Sequence, residues 1–141
     1  MLRIYYKIWV SLFLKIKTAQ NGNDKIAIIL SLIVITFTNF VNYFFLCLLS
    51  ITMFNVNINL FTQMGIDNKI LKISIVVLIF LVPNYFILIF NTKHKKLLLN
   101  YKHKTNKNLG YFYFILSCLL VLVFLFLMVL FPTYFGLKSA H

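Results

Sequence analysis

Three runs of this chain, 26–54, 70–90 and 111–135, are almost free of charge and consist chiefly of Leu, Ile, Val and Phe. In hydrocarbon every backbone polar group must be bonded within the protein, and about 20 apolar residues in a helix suffice to cross. Each run meets that length. The first exceeds it, so tilt or an end overhanging the membrane is expected. No period-two alternation competes with these runs, and no internal repeat is visible. Only 11% of the 141 residues are charged and 62% are hydrophobic, whereas a soluble domain carries about 25% charged residues. Such a chain cannot cover a water-facing surface. The expected fold class is all-α, an integral membrane protein with three transmembrane helices.

An amphipathic segment precedes them. Within 1–19, Arg3, Lys7, Ser11 and Lys15 follow one another at every fourth position and fall in one stripe of a helix. Ile4, Ile8, Trp9, Leu12, Phe13 and Ile16 cover the remainder. This pattern predicts a helix lying in the membrane interface, with cations toward head groups and Trp9 at the boundary. Gln20-Asn21-Gly22-Asn23-Asp24 then interrupts it, and Asn23 or Asp24 is a candidate N-cap for the first span. No secretory signal peptide is expected, because no small-residue cleavage pattern follows the first long apolar run.

Fourteen Lys and Arg stand against two acids, Asp24 and Asp67, for a formal net charge of +12. Five of these cations lie at the N-terminus (Arg3, Lys7, Lys15, Lys17, Lys25). Six lie in the connection 91–110 (Lys93, Lys95, Lys96, Lys102, Lys104, Lys107). With three spans these two regions share a side, leaving Lys69, Lys72 and Lys138 elsewhere. The positive-inside bias predicts a cytoplasmic N-terminus and an outward C-terminus. Tyr5, Tyr6 and Trp9, Tyr85 and Phe86, Tyr111 to Phe114, and Tyr134 with Phe135 gather where interfaces should fall. The expected location is the inner (cytoplasmic) membrane, with an organellar inner membrane as the alternative.

The most informative polar residues lie in the first span. Ser31, Thr38 and Asn42 share a helical face with Asn39 beside it, and Thr36, Ser50 and Thr52 are nearby. An amide facing hydrocarbon without a partner is costly, so Asn39 and Asn42 should face protein or water. They could line a pore, form a self-association seam, or bond to the other spans of the same chain. In the second span, Pro83 removes a backbone donor and predicts a kink, with Asn84 or Asn42 available to the freed carbonyls. Ser31, Thr38, Asn39, Asn42, Pro83 and Asn84 are the helix-packing or pore-face candidates.

The six lysines of 91–110, with Arg3, Lys7 and Lys15, are the candidate contacts for anionic head groups, and Leu97 to Leu99 suit a short segment lying on the lipid. Nucleic acid is disfavoured as a partner, since topology already demands these cations. The isolated His94, His103 and His141 make no metal site, and Cys47 and Cys118, inside apolar runs, read as small hydrophobes. Asp24 and Asp67 fall on opposite sides of the membrane and cannot act as a pair. No glycine-rich phosphate loop or nucleophile–base pair is apparent, so neither catalysis nor a cofactor is expected.

The basic aromatic start IYYKIW, the QNGND turn, Asn84-Tyr85-Phe86 closing the second span, the lysine-rich connection and the final Leu/Val/Phe span together resemble a loose group of small three-span membrane proteins from AT-rich bacterial genomes, especially Bacteroidota. Asp24-Lys25 stands where that pattern has Pro-Arg. The resemblance covers most of the chain and implies the membrane fold without any activity. Small subunits encoded in AT-rich organellar genomes share the same look. The leading expectation is a non-enzymatic structural or accessory subunit of a membrane complex, in contact with anionic lipid and with other helices of its own or another chain. The alternative is an oligomeric, membrane-permeabilising effector of defence or toxin type, its pore lined by Ser31, Thr38 and Asn42.

Overall fold

The computed structural model describes residues 2–54 and 68–130, and these residues contain helices and no strand. Helix α1 covers Leu2–Ala19, α2 Asp24–Phe54, α3 Lys69–Leu88, α4 Lys93–Tyr101 and α5 Leu109–Leu130, with a 3-10 turn at Phe90–Thr92 between α3 and α4. Helices α2, α3 and α5 are each long and apolar enough to cross a bilayer, which makes this a multi-pass membrane protein. The expected end of the third span beyond Leu130, with Tyr134 and Phe135, lies outside the described residues, as do Asp67, Lys138 and His141.

Local chemistry accounts for the helix boundaries. The Asn23 side chain accepts from the Ile26 N–H at 3.2 Å and its carbonyl takes the Ala27 N–H, so Asn23 caps α2. Asn68 does the same for α3, accepting from Ile70 and Leu71. Between α1 and α2 the backbone turns through left-handed Asn21 (φ 52°) and Gly22 (φ 84°), and the Gly22 N–H returns to the Lys17 carbonyl at 2.9 Å. At the far end of α3, Asn91 and Thr92 are also left-handed, and Lys93 Nζ donates to the Phe86 carbonyl at 3.1 Å. Lys93–Tyr101, read from the sequence as a basic connection, is thus a separate short helix.

The tight turn folds α1 back along α2 as an antiparallel hairpin, so that Tyr5 meets Asn39. Pairings between the spans set their levels. Phe80 lies against Phe40 and Tyr43, Asn84 bonds to Thr36, and Phe114 lies against Phe37. At about 1.5 Å of rise per residue, α3 ends and α5 begins near the level of Leu32. About two turns at the start of α2 therefore project past the other spans, flanked by α1 and α4.

One expectation for α1 is corrected. Its residues Ile8 to Phe13 are all buried, Trp9, Val10 and Ser11 completely. Trp9 stacks on Phe13 at 5.7 Å inside the bundle and does not face head groups. The reason lies at Gly110, where a Cβ would stand 2.5 Å from Leu12 Cγ and 2.7 Å from the Ile8 carbonyl oxygen. Only a residue without a side chain lets α5 approach the α1 backbone so closely. Ser11, grouped with the cationic stripe, closes the same contact: its hydroxyl donates to the Lys107 carbonyl (2.9 Å) and accepts the Gly110 N–H (2.8 Å). The ends of α1 keep the amphipathic character, since Arg3 and Lys15 are exposed.

Candidate functional site

Thr36, Asn39 and Asn42 of α2 are engaged by side chains of the neighbouring helices. Asn39 Nδ2 donates to Tyr5 Oη at 3.0 Å and to Asn84 Oδ1 at 3.2 Å. The Tyr5 hydroxyl donates to the same Asn84 oxygen. Asn84 Nδ2 in turn donates to Thr36 Oγ1 at 3.1 Å. Four side chains from α1, α2 and α3 thereby form one hydrogen-bonded hub. Asn84 and Thr36 are buried within it, at 4% and 8% exposure. One turn further along α2, Asn42 Nδ2 donates to Tyr113 Oη on α5 at 2.7 Å. Ser117 then donates back to the Tyr113 carbonyl at 3.0 Å.

The register of α2 explains this convergence. Positions three and four apart share a helical face, so Thr36, Asn39 and, obliquely, Asn42 look toward the cleft between α1, α3 and α5. Ser31 and Thr38 are fully buried and donate to carbonyls of their own helix, Ile28 at 3.0 Å and Val34 at 2.8 Å. Ser31, Thr38 and Asn42 therefore share an inward side, but no hydrogen bond joins them to one another. Pro83 is exposed while its neighbour Asn84 is buried. Asn84 directs its amide to the hub; no hydrogen bond from its side chain to a carbonyl in its own helix is found.

Hydrogen-bonding side chains in hydrocarbon have few competitors, so such contacts fix which faces meet. All hub groups are neutral amides and hydroxyls. Burial pushes the Tyr5 phenol up to about 12, partly offset by the hydrogen bond from Asn39, and it stays a neutral donor at ordinary pH. Among the described residues no group of His, Cys, Asp and Glu could hold a metal ion. Cys47 on α2 and Cys118 on α5 are free and half-buried.

Lys15 and the six lysines of 91–110 gather at one end of the bundle, where α1 ends, α2 begins and α4 leads into α5, whereas Arg3 and Lys7 lie toward the other end of α1, beside Tyr5. Several already make internal contacts. Lys15 Nζ lies 4.1 Å from the centre of the Tyr111 ring and 3.4 Å from Asn108 Oδ1. Lys17 pairs with Asp24 at 2.5 Å, and Lys93 holds the end of α3. Arg3, Lys95, Lys96, Lys102, Lys104 and Lys107 are exposed, and Lys7 is half-buried.

Sequence reasoning missed Tyr5 and Tyr113, which read as interfacial aromatics. Both insert a hydroxyl between helices. Their polar tips were visible in the sequence, but choosing between water and an asparagine partner required the levels at which the helices meet. Gly110 carries no signal of its own in the sequence, since its small size matters only once α1 folds back. Compared with known proteins, the chain matches no family model, no curated sequence and no solved structure.

Proposed function

We propose that this is a non-enzymatic membrane protein acting through helix contacts, as a structural or accessory subunit of a larger membrane assembly. The observation that carries this reading is the inward burial of Ser31, Thr36 and Thr38 together with the bonding of Asn39 and Asn42 to Tyr5, Asn84 and Tyr113. The polar groups that could have lined an aqueous path are engaged by the chain's own helices. What α3 and α5 turn outward is apolar: Ile73, Val77, Leu78, Leu122, Val123 and Phe126 are each at least half exposed. Such faces suit lipid and other apolar helices. In this reading the cationic end faces the cytoplasm of a bacterial inner membrane, as the positive-inside bias requires.

Induced expression in cells carrying a membrane-potential dye tests the reading. The membrane potential should stay unchanged, and the protein should migrate with larger membrane complexes in mild detergent. Rapid depolarisation that Asn42→Leu abolishes would overturn the subunit reading in favour of a pore.

A further inference from the structure

At the cationic end, a cavity of about 1010 Å³ opens between the second half of α1, the α1–α2 turn and α4. Lys17, Lys95, Lys102 and Lys107 reach it from three separate segments of the chain, with His103 beside them. Against these four lysines stands one acid, Asp24, which is already paired with Lys17. Among the described residues that is the only ion pair, so Lys95, Lys102 and Lys107 bring uncompensated charge to one hollow. Phe13, Leu14, Leu98 and Leu99 line the same cavity. Leu99 is 80% exposed and places apolar surface at the mouth of the cavity beside the lysines.

Converging cations repel one another, and a multivalent oxyanion relieves that repulsion while accepting several N–H donors at once. The cavity reaches from about the level where α3 ends and α5 begins outward to the α1–α2 turn, so with α3 and α5 spanning the hydrocarbon it opens into the head-group region. Basic pockets between helices at this depth are suited to phosphorylated lipid head groups. We propose that this cavity is a binding site for a phosphate-bearing anion, with the lysines on the phosphate and the leucines beside any attached chain. The proposal goes beyond the subunit reading and stands independently of it.

The test uses the full chain in neutral maltoside micelles and follows its thermal unfolding. Three probes are titrated separately: dihexanoyl phosphatidylglycerol, inorganic pyrophosphate and dihexanoyl phosphatidylcholine. A saturable rise in melting temperature with phosphatidylglycerol alone supports the site and assigns a phospholipid. A saturable rise with pyrophosphate as well supports the site and assigns the free anion as sufficient. Neutralising Lys95 and Lys102 to Gln should weaken the apparent affinity about fivefold for each lysine, in keeping with the strength of one cation near an anionic surface. Lys107→Gln provides an independent variant should the double variant fold poorly. The control Lys25→Gln with Lys96→Gln removes equal charge outside the cavity and should leave affinity unchanged. No response to either anion, an equal response to phosphatidylcholine, or equal weakening by the control pair would overturn the proposal.

Discussion

Asn84 is the side chain on which most of the buried polar contacts converge: it accepts from Tyr5 and Asn39 and donates to Thr36. Replacing it with Leu leaves three polar partners searching for substitutes in a poorly hydrated cleft. Hydrogen bonds between membrane helices contribute about 0.6 kcal/mol each, and stranded buried groups cost about 1–3 kcal/mol. Asn84→Leu should therefore destabilise the protein by about 2 kcal/mol in detergent unfolding, and Tyr5→Phe by less than half of that. Gly110 carries a different constraint. A methyl group there meets backbone atoms of Ile8 and Leu12, which cannot rotate away. Gly110→Ala should cost about 1–3 kcal/mol by overpacking in the same assay. The Tyr5 phenol adds a pH dependence. Its folded value lies above the ordinary 10, so the folded state keeps a proton that the unfolded chain gives up. Its contribution to stability is complete below pH 10 and is lost as pH rises through about 12. Over that window the melting temperature of the wild type should fall more steeply than that of Tyr5→Phe.

Among the elements, the three spans were the most legible in the sequence, because a long uncharged run has no other stable environment. The reading placed the first at 26–54 and the helix occupies Asp24–Phe54, with the Asn23 cap that the QNGND turn led one to expect. Helix α1 was legible as an amphipathic helix, but not in which of its residues are buried against the neighbouring helices. Its cations lie at every fourth position, which fits a helix on a surface. Periodicity carries no sign of a distant glycine that admits a second helix onto Ser11, in the middle of that stripe. Hence Trp9 and Ser11 read as interfacial and are buried. The same limit applies to the hub. That Asn39, Asn42 and Asn84 needed partners followed from desolvation alone; which partners they found depends on the folding-back of α1 and the stagger of α5. The chain has a single tryptophan, so its fluorescence reports on α1 directly. Trp9 emission should be blue-shifted and resist quenching by both acrylamide and brominated lipid; strong quenching by shallow bromine labels would place α1 on the bilayer surface.

The molecule as a whole joins a wide apolar exterior to a compact polar interior located toward the cationic end. The spans bury little of themselves against one another, so the hub and the α1–α5 contact supply much of the specificity with which they assemble. Whether the polar face of α2 looks inward is thus the claim on which both the architecture and the functional reading depend. Cysteine labelling tests it most directly. With Cys47 and Cys118 replaced by Ser, Thr38→Cys is exposed in membranes to a small, water-soluble methanethiosulfonate, with Lys104→Cys at the exposed end as a positive control. The account predicts prompt modification of Lys104→Cys and none of Thr38→Cys. Modification of Thr38→Cys at a rate near the control would contradict it, by placing that face on water.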